Sequence, residues 1–512
     1  MLAFTLITLG TDEVWSQNVD WVARESRWFR SLDLNTPFQV TASKDLLPNM
    51  HTFSTYSTGW NPSPNTTGPI TPRFFEQYGG GAGIGGAGGL GPAGFAQTSG
   101  PDGFVIIPFL SVHERYDTNV VFAPPAPGLK RDDFVTGVSP QLFMRHAGGK
   151  VDTTLQVGAN AEYYVSNENR NFVGFNAALN VGLDRVVQRF FPDARLRVSD
   201  TLTYTPQLPG FLGGNPVNDQ VIGSDNSGQL PVADQYGRGI QAPRVTATAN
   251  DTTIGGSIPF SPTIAMIATY SYSFVKFGNS SVPTGTSTVP ALFESSTNKA
   301  TVGPTYKATS MDTLSLLYSY ADTQFDQASY QSHQGSLSWY RTLSQEFRTT
   351  LTGGAALVTT EGNISQSGTS SPTSIVTYTG AAALLWARRY TKVSINYSAG
   401  VYPSYVANPT PFLSQLVAVS GTHVVGDRLT LIGGGNYSRS DAIGGDAGAG
   451  GFGYTSYGTN EGIVYRLSPT LLASFIHTYA HVSGSGAGTS STSAFSNEFV
   501  RNTLTLAITS YW

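Results

Sequence analysis

The sequence contains no cysteine. Disulfide frameworks, thiolate zinc sites and cysteine nucleophiles are therefore excluded. Charge is scarce as well. Asp, Glu, Lys and Arg make up 12% of the 512 residues, about half the ~25% of an average soluble domain. The net charge of −4 leaves no basic surplus for nucleic acid or for a polybasic membrane-surface contact. No apolar run reaches the ~18 residues of a membrane-spanning helix. A transmembrane β-barrel is untouched by that test, because its strands alternate and average to neutral hydropathy.

What replaces the charge is not apolar mass, since the mean hydropathy is −0.10. The chain is rich in Ser, Thr, Asn and Gln, with 57 Gly and 25 Tyr. Neutral polar side chains, glycine and aromatics suit strands with one wet face and one greasy face. The first stretch, 1–101, is different. It has no sustained period and contains "WNPSPNTTGPITP" and "YGGGAGIGGAGGLGPAGFAQ". Two readings of it stay open: a processed or mis-started leader, with Gly94 and Ala96 as small residues before Gln97, or a low-order periplasmic tail. Gly81, Gly83 and Gly86 have GxGxxG spacing, but no strand precedes them and no helix follows, so no phosphate site is read there.

From about residue 102 the sequence becomes periodic. Val151, Thr153, Leu155, Val157, Ala159, Ala161, Tyr163 and Val165 share one face; Asp152, Thr154, Gln156, Asn160 and Glu162 share the other. Val173 to Leu183 repeats this against Asn176, Asn180 and Asp184. Leu314, Leu316, Tyr318 and Tyr320 form another apolar face, and Val393, Ile395, Tyr397, Ala399 and Val401 oppose Lys392, Ser394 and Asn396. The period is 2, not 3.6. Such runs exceed the usual 5–6 residues of a globular strand and reach the ~9–11 needed to cross a bilayer at a tilt.

The connections alternate in length. Short ones fall at "FFPDA" (190–194), "FSPT" (260–263), "KATSMD" (307–312), "TLSQE" (342–346), "RRYT" (388–391), "VGDR" (425–428) and "LSPT" (467–470). Between them lie longer polar stretches, at 206–244, 276–298, 322–334, 360–376, 438–453 and 481–497. Short turns on one rim and long loops on the other is the plan of bacterial outer-membrane barrels. The expected fold is an all-β, transmembrane, antiparallel up-and-down barrel over 102–512, of about 18 strands, with 16 as the alternative count. An open sheet edge in hydrocarbon strands backbone groups at several kcal/mol each, so the first strand must pair with the last. "TLTLAITSYW" at the C-terminus is expected to do this, pairing near Phe104–Val112. Leu504, Leu506, Ile508 and Trp512 would face lipid and form the barrel-closure and assembly signal. Tyr and Trp near strand ends, among them Tyr163, Tyr164, Tyr204, Trp339, Tyr340 and Trp386, read as interfacial girdles.

"FVIIPFLSVHERYDTNVVF", then "RDDFVTGVSPQLFM", then long alternating strands, resembles the opening of the β-barrel porin 2 family of Gram-negative outer-membrane proteins. The matching residues are Pro108, Tyr116, Asp117, Asn119, Val120, Asp133, Ser139, Pro140 and Leu142. Thr118 stands where that family often has Asp or Ser. The resemblance implies an exopolysaccharide-associated barrel over 103–512 and does not extend to the Gly-rich N-terminal hundred residues.

No catalytic, cofactor or metal set is expected. "HTYAH" places His477 and His481 on one strand face but ~13 Å apart, too far for one metal. Asp219, Asp225, Asn226 and Asp234 read better as a solvated loop than as a calcium site. Basic residues gather around the short-turn ends: Arg195, Arg197, Arg341, Arg348, Arg388, Lys392, Arg428 and Arg466 form a candidate charge ring at the periplasmic mouth, favouring anionic solutes. The alternative is a solvated rim whose arginines meet headgroups or carboxylates. Arg185 and Asp200 fall on the outward face. The functional expectation is a passive aqueous pore or export conduit, set against a structural scaffold or surface-array protein in an envelope complex. The partners expected are outer-membrane lipid, the outer-membrane assembly machinery and a homo-oligomer or envelope complex, with termini periplasmic and long loops extracellular.

Overall fold

The computed structural model describes residues 103–120, 130–147, 151–207, 245–280, 294–325, 328–344, 346–362, 373–388, 390–403, 411–426, 428–443, 453–468, 470–485 and 499–511. The expected N-terminal segment 1–101, most of the 206–244 connection with Asp219, Asp225, Asn226 and Asp234, and Trp512 lie outside them.

Eighteen strands form one sheet: β1 (Gly103–Asp117), β2 (Asp133–Ala147), β3 (Asp152–Tyr164), β4 (Phe172–Gly182), β5 (Arg195–Gln207), β6 (Val245–Pro259), β7 (Ile264–Ser280), β8 (Ser295–Lys307), β9 (Asp312–Phe325), β10 (Ala328–Thr342), β11 (Phe347–Gly362), β12 (Thr373–Arg388), β13 (Thr391–Pro403), β14 (Pro411–Val425), β15 (Leu429–Ala442), β16 (Gly453–Ser468), β17 (Leu471–Ser485) and β18 (Phe499–Tyr511). Each is antiparallel to its sequence neighbours, and β1 also pairs with β18, from Phe109↔Tyr511 to Asp117↔Thr503. The pairing of β1 with β18 closes the sheet into a barrel. The closing register on β1, Phe109–Asp117, lies five residues further along than the expected Phe104–Val112 and overlaps it at 109–112, so the last strand meets the far half of the first.

The faces follow the period-2 pattern. In β9, Thr313, Ser315, Leu317, Ser319 and Thr323 are buried, while Leu316 and Tyr318 between them are exposed. In a closed sheet only the inner face is shielded by the wall opposite. Small polar residues therefore line the inside, and apolar ones stand on the outside. In β18, Leu504, Leu506 and Ile508 face out, and Thr503, Thr505 and Ala507 face in.

The even-to-odd connections, such as 260–263, 308–311, 389–390 and 469–470, are two to four residues long except 183–194. β1 starts and β18 ends at this same rim. The turns are built by hydroxyls. Ser261 Oγ accepts from the Thr263 and Ile264 amides, Thr309 Oγ1 from Met311 and Asp312, Ser344 Oγ from Glu346 and Phe347, and Ser468 Oγ from the Thr470 amide. These side chains mimic a backbone turn. At 426–428 the reversal rests on Gly426, whose φ of 64° suits a residue without Cβ.

Three local expectations change. Residues 322–334 are not a loop: β9 and β10 run on and meet across 326–327. The 183–194 connection holds a short helix, α1 (Asp184–Val187), so Arg185 sits outside any strand; Asp184 Oδ1 accepts from the Leu196 amide at 2.9 Å and ties the connection to β5. Tyr164 and Tyr340 point inward and are buried, so they are not girdle residues.

Among the described residues the ladders β2–β3 and β8–β9 are interrupted, β4–β5 stops at Phe175↔Tyr204, and β12–β13 also stops short. The β12–β13 ladder runs from Arg388↔Thr391 only as far as Gly380↔Ala399. Residues 373–379 of β12 stay paired to β11, and 400–403 of β13 stay paired to β14, but the two stretches lie outside any ladder with each other.

Candidate functional site: the barrel lumen

The inner wall from β8 to β16 is mostly neutral hydroxyl and amide. Hydroxyls pair across neighbouring strands: Thr301 with Ser319 at 2.9 Å, Thr305 with Ser315 at 3.0 Å, Thr352 with Ser338 at 3.0 Å, Ser440 with Ser414 at 2.8 Å. Gln334 Nε2 donates to Thr379 Oγ1 at 2.8 Å across two strand gaps. Such groups meet each other's hydrogen-bonding needs and still offer water a polar surface.

The basic residues of the short-turn rim divide between the two faces. By strand alternation Arg195, Arg197, Arg348, Lys392 and Arg466 point inward, joined by Lys307. Arg197 lies 3.6 Å from Asp184. Arg341 and Arg388 point outward. Arg341 is 3.6 Å from Asp312 and stands over the Trp339 ring at 5.9 Å. Arg388 is 3.5 Å from Glu346, which also accepts from Trp386 Nε1. Both therefore belong to an outer collar of cation, carboxylate and indole, as the alternative reading of the rim had it. Arg428 is exposed in the 426–428 turn. The eight residues are thus not one lumenal ring: alternation along β10 puts Arg341 with Trp339 and Leu337, on the side opposite Tyr340 and Ser338.

Sequence reading missed a buried polar cluster on the inner wall, where β18, β1, β2 and β3 meet at the long-connection rim. Arg115 Nη1 and Nη2 donate to the two carboxylate oxygens of Glu162, each at 3.1 Å, and Tyr164 Oη donates to Glu162 Oε2 at 2.7 Å. Arg501 Nε donates to Asp117 Oδ1 and Oδ2 at 3.0 and 3.1 Å. Asn119 Nδ2 donates to the Val500 carbonyl at 3.2 Å, and the Asn502 amide donates to Thr118 Oγ1 at 2.8 Å. Asp133 accepts from the amides of Ser166 and Asn167 at 2.9 and 2.8 Å, which holds the β3–β4 connection onto β2. Next to this cluster His113 fills the space that Gly137 leaves: a Cβ on Gly137 would collide with the His113 ring. The signal was present, because "RYDTN" and Asp133 carried the family resemblance, but pairing over 384 residues of sequence has no local signature.

An apolar cluster occupies the inner wall of the opposite arc at the same rim. Ala249, Val275, Phe325, Tyr330, Ala356 and Val358 are its inward-facing members. Val401 belongs to it too, although it continues the outward side of Ile395 on β13. This end of β13 is therefore covered on both faces, with Ala399 and Val401 on one and Tyr402 on the other buried, as is the facing Phe412. A smaller cluster of Ile107, Phe109 and Phe143 lines the short-turn rim.

No protein-family model matches the chain, and no curated protein matches it. Solved structures do. OccK3 (OpdO) of Pseudomonas aeruginosa is 11% identical, with 80% of this chain and 96% of that one covered at a TM-score of 0.39. OpdK of the same organism, with vanillate, is 13% identical over 80% and 100% at 0.39. The FrpB iron transporter of Neisseria meningitidis is 8% identical over 79% and 81% at 0.38. These likenesses are distant, and what those proteins carry says nothing about this chain.

Of the histidines weighed for metal binding, His477 and His481 both face outward. His477 Nδ1 is 3.1 Å from Glu461, and His481 stacks on Tyr457 at 4.6 Å.

Proposed function

We propose that this chain is a Gram-negative outer-membrane barrel that gives small polar solutes a passive path. The observation that carries it is the inverted partition of side chains. Leu316, Leu337, Val376, Ile463 and Leu506 stand exposed outside, while buried Ser, Thr, Asn and Gln line the inside of a closed sheet. Water on the outside would penalise that outer face; lipid would not. Barrels of 16–18 strands are wide enough for an aqueous channel. Arg195, Arg197, Lys307, Arg348, Lys392 and Arg466 would make the short-turn mouth basic and favour anions. That mouth and both barrel ends would be periplasmic and the long connections extracellular.

The β-barrel porin 2 family is the finer assignment, supported by Asp117, Asn119 and Asp133 at the seam, where they hold the first strands to the last strand and to the β3–β4 connection. A role beside exopolysaccharide would follow from that assignment. Assembly would need the outer-membrane assembly machinery, and a homo-oligomer or larger envelope complex is the expected context. The scaffold reading is favoured by one feature, the apolar cluster and buried Tyr402 and Phe412 that narrow the lumen. Swelling of proteoliposomes in isosmotic sugars separates the two. Size-graded sugar flux is expected; a heat-modifiable barrel that passes no sugar would give the scaffold instead.

A further inference from the structure

His113 on β1 is buried at 1% exposure on the inner wall, and among the described residues neither of its ring nitrogens has a hydrogen-bond partner. Its neighbours account for this. Across from it on β2 is Gly137, with Val135 and Ser139 on the same face; across on β18 is Ala507, with Thr505 beside it. None of these is charged, and Ser139 Oγ is spent on Asn160 at 2.8 Å. Beyond Gly137, on the same rung, lies Glu162 of β3. Two residues along β1 lies Arg115. These two are the charged groups that face the ring from the strands packed against it. They hold each other: both Glu162 oxygens accept from Arg115 at 3.1 Å, and the Tyr164 hydroxyl adds a third bond to the carboxylate. Gly137 places no side chain between the ring and that carboxylate. The charges continue to the seam, because Asp117 is 3.7 Å from Arg115 Nε and accepts from Arg501 of β18. One alternating run of charge thus joins β3, β1 and β18, with an unpartnered imidazole at its side.

We infer that His113 is a proton-operated release for the long-connection half of the seam. The neutral ring needs little more than the space over Gly137, and Glu162 stays with Arg115. A proton makes both ring nitrogens donors. A buried cation without an acceptor is costly, Arg115 repels it, and the carboxylate on its own rung is Glu162. Glu162 turns to the imidazolium. Arg115, released from β3, then competes with Arg501 for Asp117, the contact that fastens β18. The clasped form holds the ring unprotonated, so acid shifts the seam toward the loosened form, below the ~6.5 at which an ordinary imidazole takes up its proton. The short-turn half of the closing ladder, Phe109↔Tyr511 to Val112↔Ile508, carries none of these charges and stays closed. The release rests on barrel closure and not on solute passage.

The test uses the full chain as a folded barrel in detergent. Hydrogen–deuterium exchange is read by peptide mass spectrometry at pH 7 and pH 5, corrected for the intrinsic pH dependence of amide exchange. In the parent, peptides carrying residues 115–117 and 501–503 should exchange about tenfold faster at pH 5, since uptake of one proton raises an opening constant by up to about tenfold per pH unit. The change should reverse at pH 7, and peptides within 506–511 should not share it. His113→Phe keeps a ring over Gly137 and takes no proton, so its acid response at these peptides should vanish. His113→Gln is the second variant, used in the same way if the first gives no heat-modifiable band. A parent that shows no acid response overturns the inference. So does an equal response in parent and variant, which assigns it to the carboxylates, or one spread evenly over both halves of the seam. Absence of a heat-modifiable band from the parent at pH 7 would instead overturn the closed barrel, and is seen before any exchange is measured.

Discussion

Arg501 on β18 grips Asp117 on β1, with Nε 3.0 and 3.1 Å from the two carboxylate oxygens. The pair is buried at the long-connection end of the closing ladder, between Asp117 of its last rung and Arg501, two residues beyond Thr503. It fastens the two ends of the barrel where the backbone ladder runs out. Removing one member of a buried ion pair leaves the other charge uncompensated, at a cost of about 3–5 kcal/mol. Arg501→Ala or Asp117→Ala should lower the temperature at which the folded, fast-migrating band converts to the unfolded one. The double variant should be less affected than the two single effects added together. Single variants that melt like the parent would remove the clasp from the account of closure.

The short-turn rim predicts a split between arginines of similar sequence context. Arg348 and Lys392 point into the barrel, whereas Arg341 and Arg388 sit on the outer collar with Asp312 and Glu346. Arg348→Gln with Lys392→Gln should move the zero-current potential in a salt gradient toward cation preference, because only lumenal charge meets the permeating ion. Arg341→Gln with Arg388→Gln should leave it in place. Equal shifts from both pairs would mean that the strand faces are assigned wrongly.

Much of this arrangement was legible because the controlling rule is local. Side chains alternate along a strand, so Val157 and Gln156 could be sent to opposite faces from the sequence, and Ser261, Thr309 and Ser344 marked the turns. The same alternation, carried strictly through "WYRT", would have put Arg341 outward with Trp339; its nearness to a turn suggested the mouth instead. What sequence could not give were relations between distant strands. Nothing near Arg115 predicts Glu162 two strands away, and nothing near Val401 predicts that it is buried in a cluster with Val358 and Tyr330. The register of closure is of the same kind, since any stretch of β1 with the right alternation could have met β18.

His113 and Gly137 face each other across β1 and β2, and the imidazole lies where a Cβ on Gly137 would be. Gly137→Ala must push the ring out of a buried site beside Arg115 and Glu162. Overpacking of this kind costs about 1–3 kcal/mol. The variant should melt earlier than the parent, and His113→Ala in the same chain should restore much of the loss by vacating the space. If Gly137→Ala alone leaves the melting of the folded band unchanged, the close approach is not a constraint on the fold.

The C-terminus makes the most demanding prediction. Ser510 faces both Leu110 on β1 and Leu471 on β17, and Tyr511 faces Phe109. Deleting 510–512 removes the rungs nearest the short-turn rim on both sides of β18, together with the terminal Trp512. The remaining ladder to β1, Ser111↔Thr509 to Asp117↔Thr503, still includes the Arg501–Asp117 clasp. A barrel already closed should tolerate the loss, because most rungs survive. Assembly is another matter, if the terminal aromatic strand is the segment that the insertion machinery engages. The deletion should therefore fail to yield heat-modifiable barrel in the outer membrane of cells, yet refold from urea into detergent with a lowered melting temperature. Normal insertion in cells would remove the assembly role of the last residues. Failure to refold in detergent would make them part of the fold itself, with Leu504, Leu506 and Ile508 unable to hold the seam alone.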